Sequence, residues 1–313
     1  MYAASDPRAS LAPSAAPSKP AGPACPATYA RFYESEPDER SPGVASWIVR
    51  GQTFAIVYSD CAPDAVLERV GQVDEYVLLL PDAGTGAVAE AEGQTATVAG
   101  FSITFVPPGD SRIRMPEGGR VVRLFTDASP EVMALASNRE TYERTNAAIP
   151  ERVSWPGPRG GHRVRTYSLD VAPEPGRFGR IFRGSTFMVN YLEPKNGPRD
   201  PAMLSPHHHD DFEQCSLALA GDYKHHLRWP WTTNRAHWRD DEHVACGSPS
   251  AAIIPPPAIH TSEATGAGLN QLVDIFCPPR ADFSAKPGWV LNADDYPMPG
   301  DADDVAGPIP AKD

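Results

Sequence analysis

The chain has 313 residues, with 28 Lys and Arg against 40 Asp and Glu and a formal net charge of −12. That balance provides no overall basic field to neutralise phosphates, so nucleic acid is not an expected partner. No run is long and apolar enough to span a bilayer, so a membrane is not expected either.

Apolar residues make up 41% of the chain, enough for the core of one large domain or two ordinary ones. The 35 prolines and 25 glycines break helices and central strands, and many short apolar runs lie between them. These features point to a turn-rich, all-β protein. The five cysteines, Cys25, Cys61, Cys215, Cys246 and Cys277, are odd in number and form no CxxC, which argues against a disulfide framework.

Residues 1–28 are rich in Ala, Pro and Ser and are expected to form a disordered tail. They lack the apolar stretch of a secretory signal, so the expected location is the cytoplasm. Residues 29–128 hold strand-like runs such as "SWIVRGQTFAIVYSD", "DEYVLLLPDAGTG" and "GRVVRLFTD", separated by hairpin-forming Gly and Asp. The "GTG" in the second run is read as a turn, since no helix pattern follows it. Residues 129–162 read as a helix and linker: Ser129 can cap, Pro130 suits the first helical position, and Glu131 suits the positive helix end. Strand-like runs resume over 163–313, interrupted by an insertion at 222–247.

The stretch "SPHHHDDFEQCSLALAG", residues 205–221, concentrates ionisable groups ahead of an apolar run. In a strand alternate side chains share a face. His207, His209, Asp211, Glu213, Cys215, Leu217 and Leu219 have one parity, polar at one end and apolar at the other. Two imidazoles and a carboxylate on that face can converge on a divalent ion. A further imidazole, His260, ends the stretch "IIPPPAIH", where three prolines restrict the backbone.

These two stretches resemble the paired motifs of the cupin superfamily. The first motif is HxHx3-4E followed by a glycine, matched by His207, His209 and Glu213, with Gly221 one residue later than usual. The second is a loose PxGxxxH, in which His260 takes the ligand position and Pro257 replaces the glycine. The first half resembles a second cupin that has lost its metal. "FVPPGDSR" parallels "IIPPPAIH", placing Arg112 at His260, and setting Glu75 against Glu213 puts Arg69 and Gly71 opposite His207 and His209. An arginine stays protonated and cannot ligate.

The resemblance implies a bicupin of two double-stranded β-helix (jelly-roll) barrels. The N-terminal barrel is degenerate and the C-terminal barrel binds metal through His207, His209, Glu213 and His260. It implies one divalent transition metal, Fe(II) or Mn(II) first, with Zn(II) or Ni(II) also admitted, and a homodimer is compatible with it.

Around the metal, Asp211 and Tyr223 are candidate acid–base groups, and Cys215 is expected to line the pocket. The insertion supplies Arg228, Trp229, Trp231 and Arg235, a set suited to an anionic or planar substrate. The family supports several chemistries. The leading expectation is a dioxygenase acting on a small carboxylate- or enol-bearing substrate, aromatic substrates included. The alternatives are a redox-neutral sugar-acid isomerase, decarboxylase or lyase, and a non-catalytic ligand binder.

Overall fold

The structure, a computed structural model, describes residues 6–10 and 22–301. Two antiparallel double sheets follow one another along the chain. The first pairs a seven-stranded sheet, running from Arg165–Ser168 through Ser102–Val106, Tyr76–Leu80, Gly119–Thr126, Phe54–Cys61 and Val44–Arg50 to Glu39–Ser41, with a four-stranded sheet. The second has Glu213–Ala220 at the middle of its large sheet, between Ser250–Ile254 and Leu269–Cys277. Its small sheet is Glu242–Cys246, Tyr223–Arg228 and Ile259–Ala264. This is the expected pair of jelly-roll barrels.

The boundaries of the barrels interlock. Thr28–Arg31 precedes the first barrel in sequence yet pairs with Ser250–Ile254 of the second. Arg165–Ser168 follows the linker yet pairs with Ser102–Val106 of the first. Each barrel thus carries an edge strand from the other's side of the chain. The expected disordered tail is also ordered in part: Pro7–Ser10 forms a 3-10 turn and Cys25 is buried. The remainder of that tail, residues 1–5 and 11–21, lies outside the described residues. The linker helix is shorter than expected, Pro130–Leu135, with Pro130 in the first turn as read. Ser129 sits at its N-cap but its hydroxyl accepts from Gln72 Nε2 at 3.0 Å rather than capping the helix.

Alternation explains how the barrels join. Val77, Leu79, Cys215, Leu217 and Leu219 share one large apolar cluster with Phe54, Ile56, Val273 and Ile275. The two large sheets therefore pack face to face through these positions. Residues of the opposite parity, Tyr76, Leu78 and Leu80, fill the interior of the first barrel with Ile113 and Met115. The interior of the second barrel receives Gln214, Ser216 and Ala218.

A pseudo-symmetric device locks the barrels together. The hairpin "RGQTFAIVY", residues 50–58, and the hairpin "RGSTFMVNY", residues 183–191, share Arg, Gly, Thr, Phe and Tyr at matching positions. The backbone N–H groups of Gln52 and Thr53 donate to Glu213 Oε2 at 2.7 and 3.2 Å. Reciprocally, Ser185 donates from its N–H and Oγ to Glu75 Oε1 at 3.1 and 3.2 Å. Each glutamate satisfies the turn of the other barrel. The turn glycine is required by close approach, since a Cβ at Gly51 would lie 2.8 Å from Glu213 Oε2 and one at Gly184 would lie 2.8 Å from Glu75 Oε1. Gly51→Ala and Gly184→Ala are each expected to lower stability by roughly 1–3 kcal/mol in denaturant titrations, the usual cost of overpacking. Unchanged midpoints would mean the two turns are loose.

Candidate metal centre

The ligand atoms of His207, His209 and His260 all lie within 4.8 Å of one another. His207 and His260 form an isolated antiparallel bridge, donating backbone N–H bonds to each other's carbonyls at 3.1 and 2.7 Å. His209 is carried by the turn that leads into Glu213–Ala220. Ring centroids are 4.5 Å apart for His207 and His260, and 5.3 Å for His209 and His260. The Nδ1–H of His207 donates to Ser205 O and that of His260 to Ala258 O, each at 2.9 Å. A carbonyl can only accept, so both rings carry their hydrogen on Nδ1 and hold a lone pair on Nε2.

The fourth group is Gln214, not Glu213. Gln214 Oε1 stands 3.1 Å from His209 Nε2 and 3.2 Å from His260 Nε2. Its amide is oriented by donation from Nε2 to Ser216 Oγ and Asp274 Oδ1, both at 3.1 Å. Gln214 Oε1 and the bare Nε2 of His260 therefore face each other as two acceptors. That arrangement is unfavourable unless a cation lies between them, and it is the observation by which these residues fit a metal. The donor set is three imidazole nitrogens and one amide oxygen, all neutral.

The expected alternation fails because residues 207–212 are not a strand. The chain bends at Asp210 and Asp211, the ladder begins at Glu213, and the parity slips by one. Glu213 then points away from the imidazoles and towards the other barrel's turn. Burial raises its carboxyl to about 7 against the lowering by the Gln52 and Thr53 N–H groups. Counting the motif from Gln214 also removes the one-residue offset at Gly221, the signal that could have found it.

Other expected groups fall elsewhere. Asp211 is exposed and not on the cavity. Cys215 belongs to the core between the barrels. Arg228 is exposed and paired with Asp241 at 2.7 Å, and Arg235 is exposed. Trp229 is buried with Leu227 and Ile254. Trp231 is 76% exposed and stacks on Trp238 with centroids 4.4 Å apart. The two ends of the 222–247 insertion are strands of the small sheet, so the excursion is only 229–241. Trp229 packs inward against Leu227, Ala252 and Ile254, which have the parity of His260, Ser216 and Gln214, while Trp231 and Trp238 are exposed and pack on each other. In the first barrel, Arg112 points outward to Glu68 and Glu90, and Ser111 takes the inward place, hydrogen-bonded to Tyr76 at 2.9 Å. Tyr76 stacks on Phe125, and Arg69 lies over the same ring. That interior is packed where the second holds imidazoles.

A cavity of about 400 Å³ opens onto His207, Gln214 and His260. Tyr223, the acid–base candidate, lines it, together with Arg8, Arg177, Lys195 and Arg199, whereas Cys215, expected to line the pocket, does not. The sequence reading missed those cations and also Asp274. Asp274 is buried on Leu269–Cys277, and its Oδ1 accepts from Ser216 Oγ at 3.0 Å and from Gln214. Burial raises its carboxyl above the ordinary range. An acid inside the apolar run "LVDIFC" was the available clue.

Burial pushes His225 and His260 down to about 4, and lowers His207 and His209 well below the usual 6.5. In metal-free protein these rings are neutral when folded and take protons when unfolded. Their contribution is full above pH 6.5 and is lost as pH falls towards 4. The raised carboxyls of Glu213 and Asp274, and of the less buried Asp38, Asp74 and Asp211, act in the opposite direction, and the four imidazoles, all lowered by deep burial, are expected to outweigh them. Denaturant titration of the metal-free protein is expected to give lower stability at about pH 5 than at pH 7. Equal stability would mean that the rings are hydrated.

No known family model matches the chain, and no curated protein does. Solved structures do. A mutant of Bacillus subtilis oxalate decarboxylase OxdC is 15% identical, with a TM-score of 0.54 over 80% of this chain and 77% of that one. The formate complex of Lactobacillus farciminis oxalate decarboxylase is 13% identical, with a TM-score of 0.54 over 80% and 86%. AerE from Microcystis aeruginosa is 11% identical, with a TM-score of 0.50 over 77% and 95%. Identities this low establish the architecture of the two barrels and leave the chemistry to the site.

Proposed function

From the premise that this chain has the bicupin fold, we propose that it is a metal-dependent enzyme performing redox-neutral chemistry, decarboxylation or proton transfer, on a small carboxylate. The observation that carries the reading is Asp274, a buried carboxylate on the wall of a cation-lined cavity and one hydrogen bond from the candidate ligand Gln214. His207, His209, His260 and Gln214 would hold the ion, with Mn(II) or Fe(II) as the proposed occupant. A divalent ion in a wholly neutral donor set keeps its double charge and supplies Lewis-acid polarisation of a substrate oxygen.

The protein's own groups do the rest. Arg8, Arg177, Lys195 and Arg199 attract and orient the anion. Among the described residues only Oδ1 of Asp274 has hydrogen-bond donors, so Oδ2 is the oxygen proposed to exchange a proton with substrate carbon or oxygen. Burial raises this carboxyl, which favours its holding the proton that such an exchange requires. Tyr223, buried beside the cavity, has its hydroxyl pushed far up by burial and acts as a neutral hydrogen-bonding wall rather than a base.

The oxygenase reading remains second, favoured by the three imidazoles, which suit iron. The test is to load the purified protein with Mn(II) or Fe(II) and supply a panel of 2-keto and dicarboxylic acids. CO2 release or solvent-proton exchange without oxygen uptake supports the proposal. Product formation that consumes O2 in step replaces it with the oxygenase, and no turnover across the panel leaves a ligand binder.

A further inference from the structure

The cations around the cavity do not all come from the barrel. Asp6, Pro7 and Arg8 form part of its wall, delivered by the segment that includes the turn Pro7–Ser10. Arg8 is held in place from several directions. Its guanidinium carbon lies 4.1 Å from the centroid of the Phe178 ring, and Nη2 donates to Ser205 Oγ at 2.9 Å. Its Nε and Nη2 also donate to the two carboxylate oxygens of Asp6, at 3.0 and 2.8 Å.

Ser205 is a junction. Its hydroxyl also accepts from Arg199 Nη2 at 2.9 Å, and its carbonyl accepts from His207 Nδ1 at 2.9 Å. Two guanidinium groups therefore meet on one hydroxyl, beside an imidazole of the candidate metal centre. Cations brought this close repel, and an anion shared between them relieves the repulsion. Arg199 also donates to the neutral carbonyls of Ser262 and Met203. The carboxylate of Asp6 engages the fork of Arg8 in the two-pronged manner of a bound carboxylate.

We propose that Arg8 and Arg199 form the carboxylate receptor of the cavity, and that Asp6 is a built-in occupant which an entering carboxylate displaces. This rests on the proposed carboxylate chemistry of the cavity and adds where the carboxylate binds and what competes with it. It makes the N-terminal segment part of the binding site rather than a tail. It also predicts opposite effects from two neighbouring substitutions. Asp6→Asn removes the competing charge and should tighten anion binding. Arg8→Gln removes the receptor and should weaken it.

The test is calorimetric titration of malonate into metal-loaded full-length protein, with malonamide as the neutral control and metal content measured on every sample. The expected result is about tenfold tighter malonate binding by Asp6→Asn and about tenfold weaker binding by Arg8→Gln, with metal content unchanged and malonamide not bound. Weaker or unchanged binding in metal-replete Asp6→Asn would overturn the proposal and make Asp6 a brace for Arg8. Unchanged binding in Arg8→Gln would overturn it too, as would malonate failing to bind the metal-replete parent protein. The underlying reading of the site fails separately, by absence of metal from the loaded parent protein. Both positions lie outside the barrels, so each variant is expected to keep a cooperative melt and the parent's circular-dichroism spectrum, which report that the fold is intact, with at most a modest drop in Tm from the lost Asp6–Arg8 contacts.

Discussion

Asp274→Asn is expected to lower turnover by about two to four orders of magnitude while the protein keeps its metal, the range typical of losing a positioned acid–base group. Asparagine preserves the volume and can preserve the acceptor that Ser216 Oγ and the Gln214 amide use at 3.0 and 3.1 Å. What it removes is the titrating oxygen. A purely structural role would appear as loss of metal or stability, with the pH profile of the residual activity unchanged. The proposed role requires instead that the limb of the pH profile set by Asp274 disappear. Full activity in Asp274→Asn would remove this residue from the chemistry.

Glu213→Ala is expected to cost about 2–5 kcal/mol of folding stability and to leave metal content intact, because it strands buried donors. Two backbone N–H groups, of Gln52 and Thr53, donate to one carboxylate oxygen of this fully buried side chain. Leaving each buried donor without an acceptor costs about 1–3 kcal/mol. Glu213→Gln keeps an acceptor and should be milder. The measurement is denaturant unfolding alongside metal analysis. Loss of metal without loss of stability would return Glu213 to the ligand set and displace Gln214.

The barrels were legible because strand alternation and turn residues repeat through most of the chain, and because His207 and His260 carry two motifs in the right order. The ligand count was readable only up to the bend at Asp210 and Asp211. Alternation is a property of extended, paired backbone, and "HHHDDFEQ" is not extended throughout, so a face assignment carried across it lands on Glu213. The offset at Gly221 recorded the slip. The matching of Glu75 with Glu213 was sound as an alignment, but both residues serve the junction between barrels. The repeated "RG.TF...Y" hairpins at Arg50 and Arg183 would have shown why.

The substrate-facing groups were far less legible. Arg8, Arg177, Arg199 and Asp274 come from separated segments and meet only through the fold, whereas the conspicuous cluster of tryptophans and arginines in 222–247 is contiguous. Composition locates such a cluster but does not say which way it faces. Trp231 and Trp238 satisfy each other outside the barrel, and Arg228 finds Asp241 there.

The most direct measurement is metal stoichiometry, by elemental analysis, of the parent protein, His260→Ala and Glu213→Gln after identical loading with Mn(II) or Fe(II) and desalting. One ion per chain in the parent and in Glu213→Gln, with a drop to background in His260→Ala, is the predicted result. Metal retained by His260→Ala, or lost from Glu213→Gln while its fold persists, would contradict a centre built from three imidazoles and an amide.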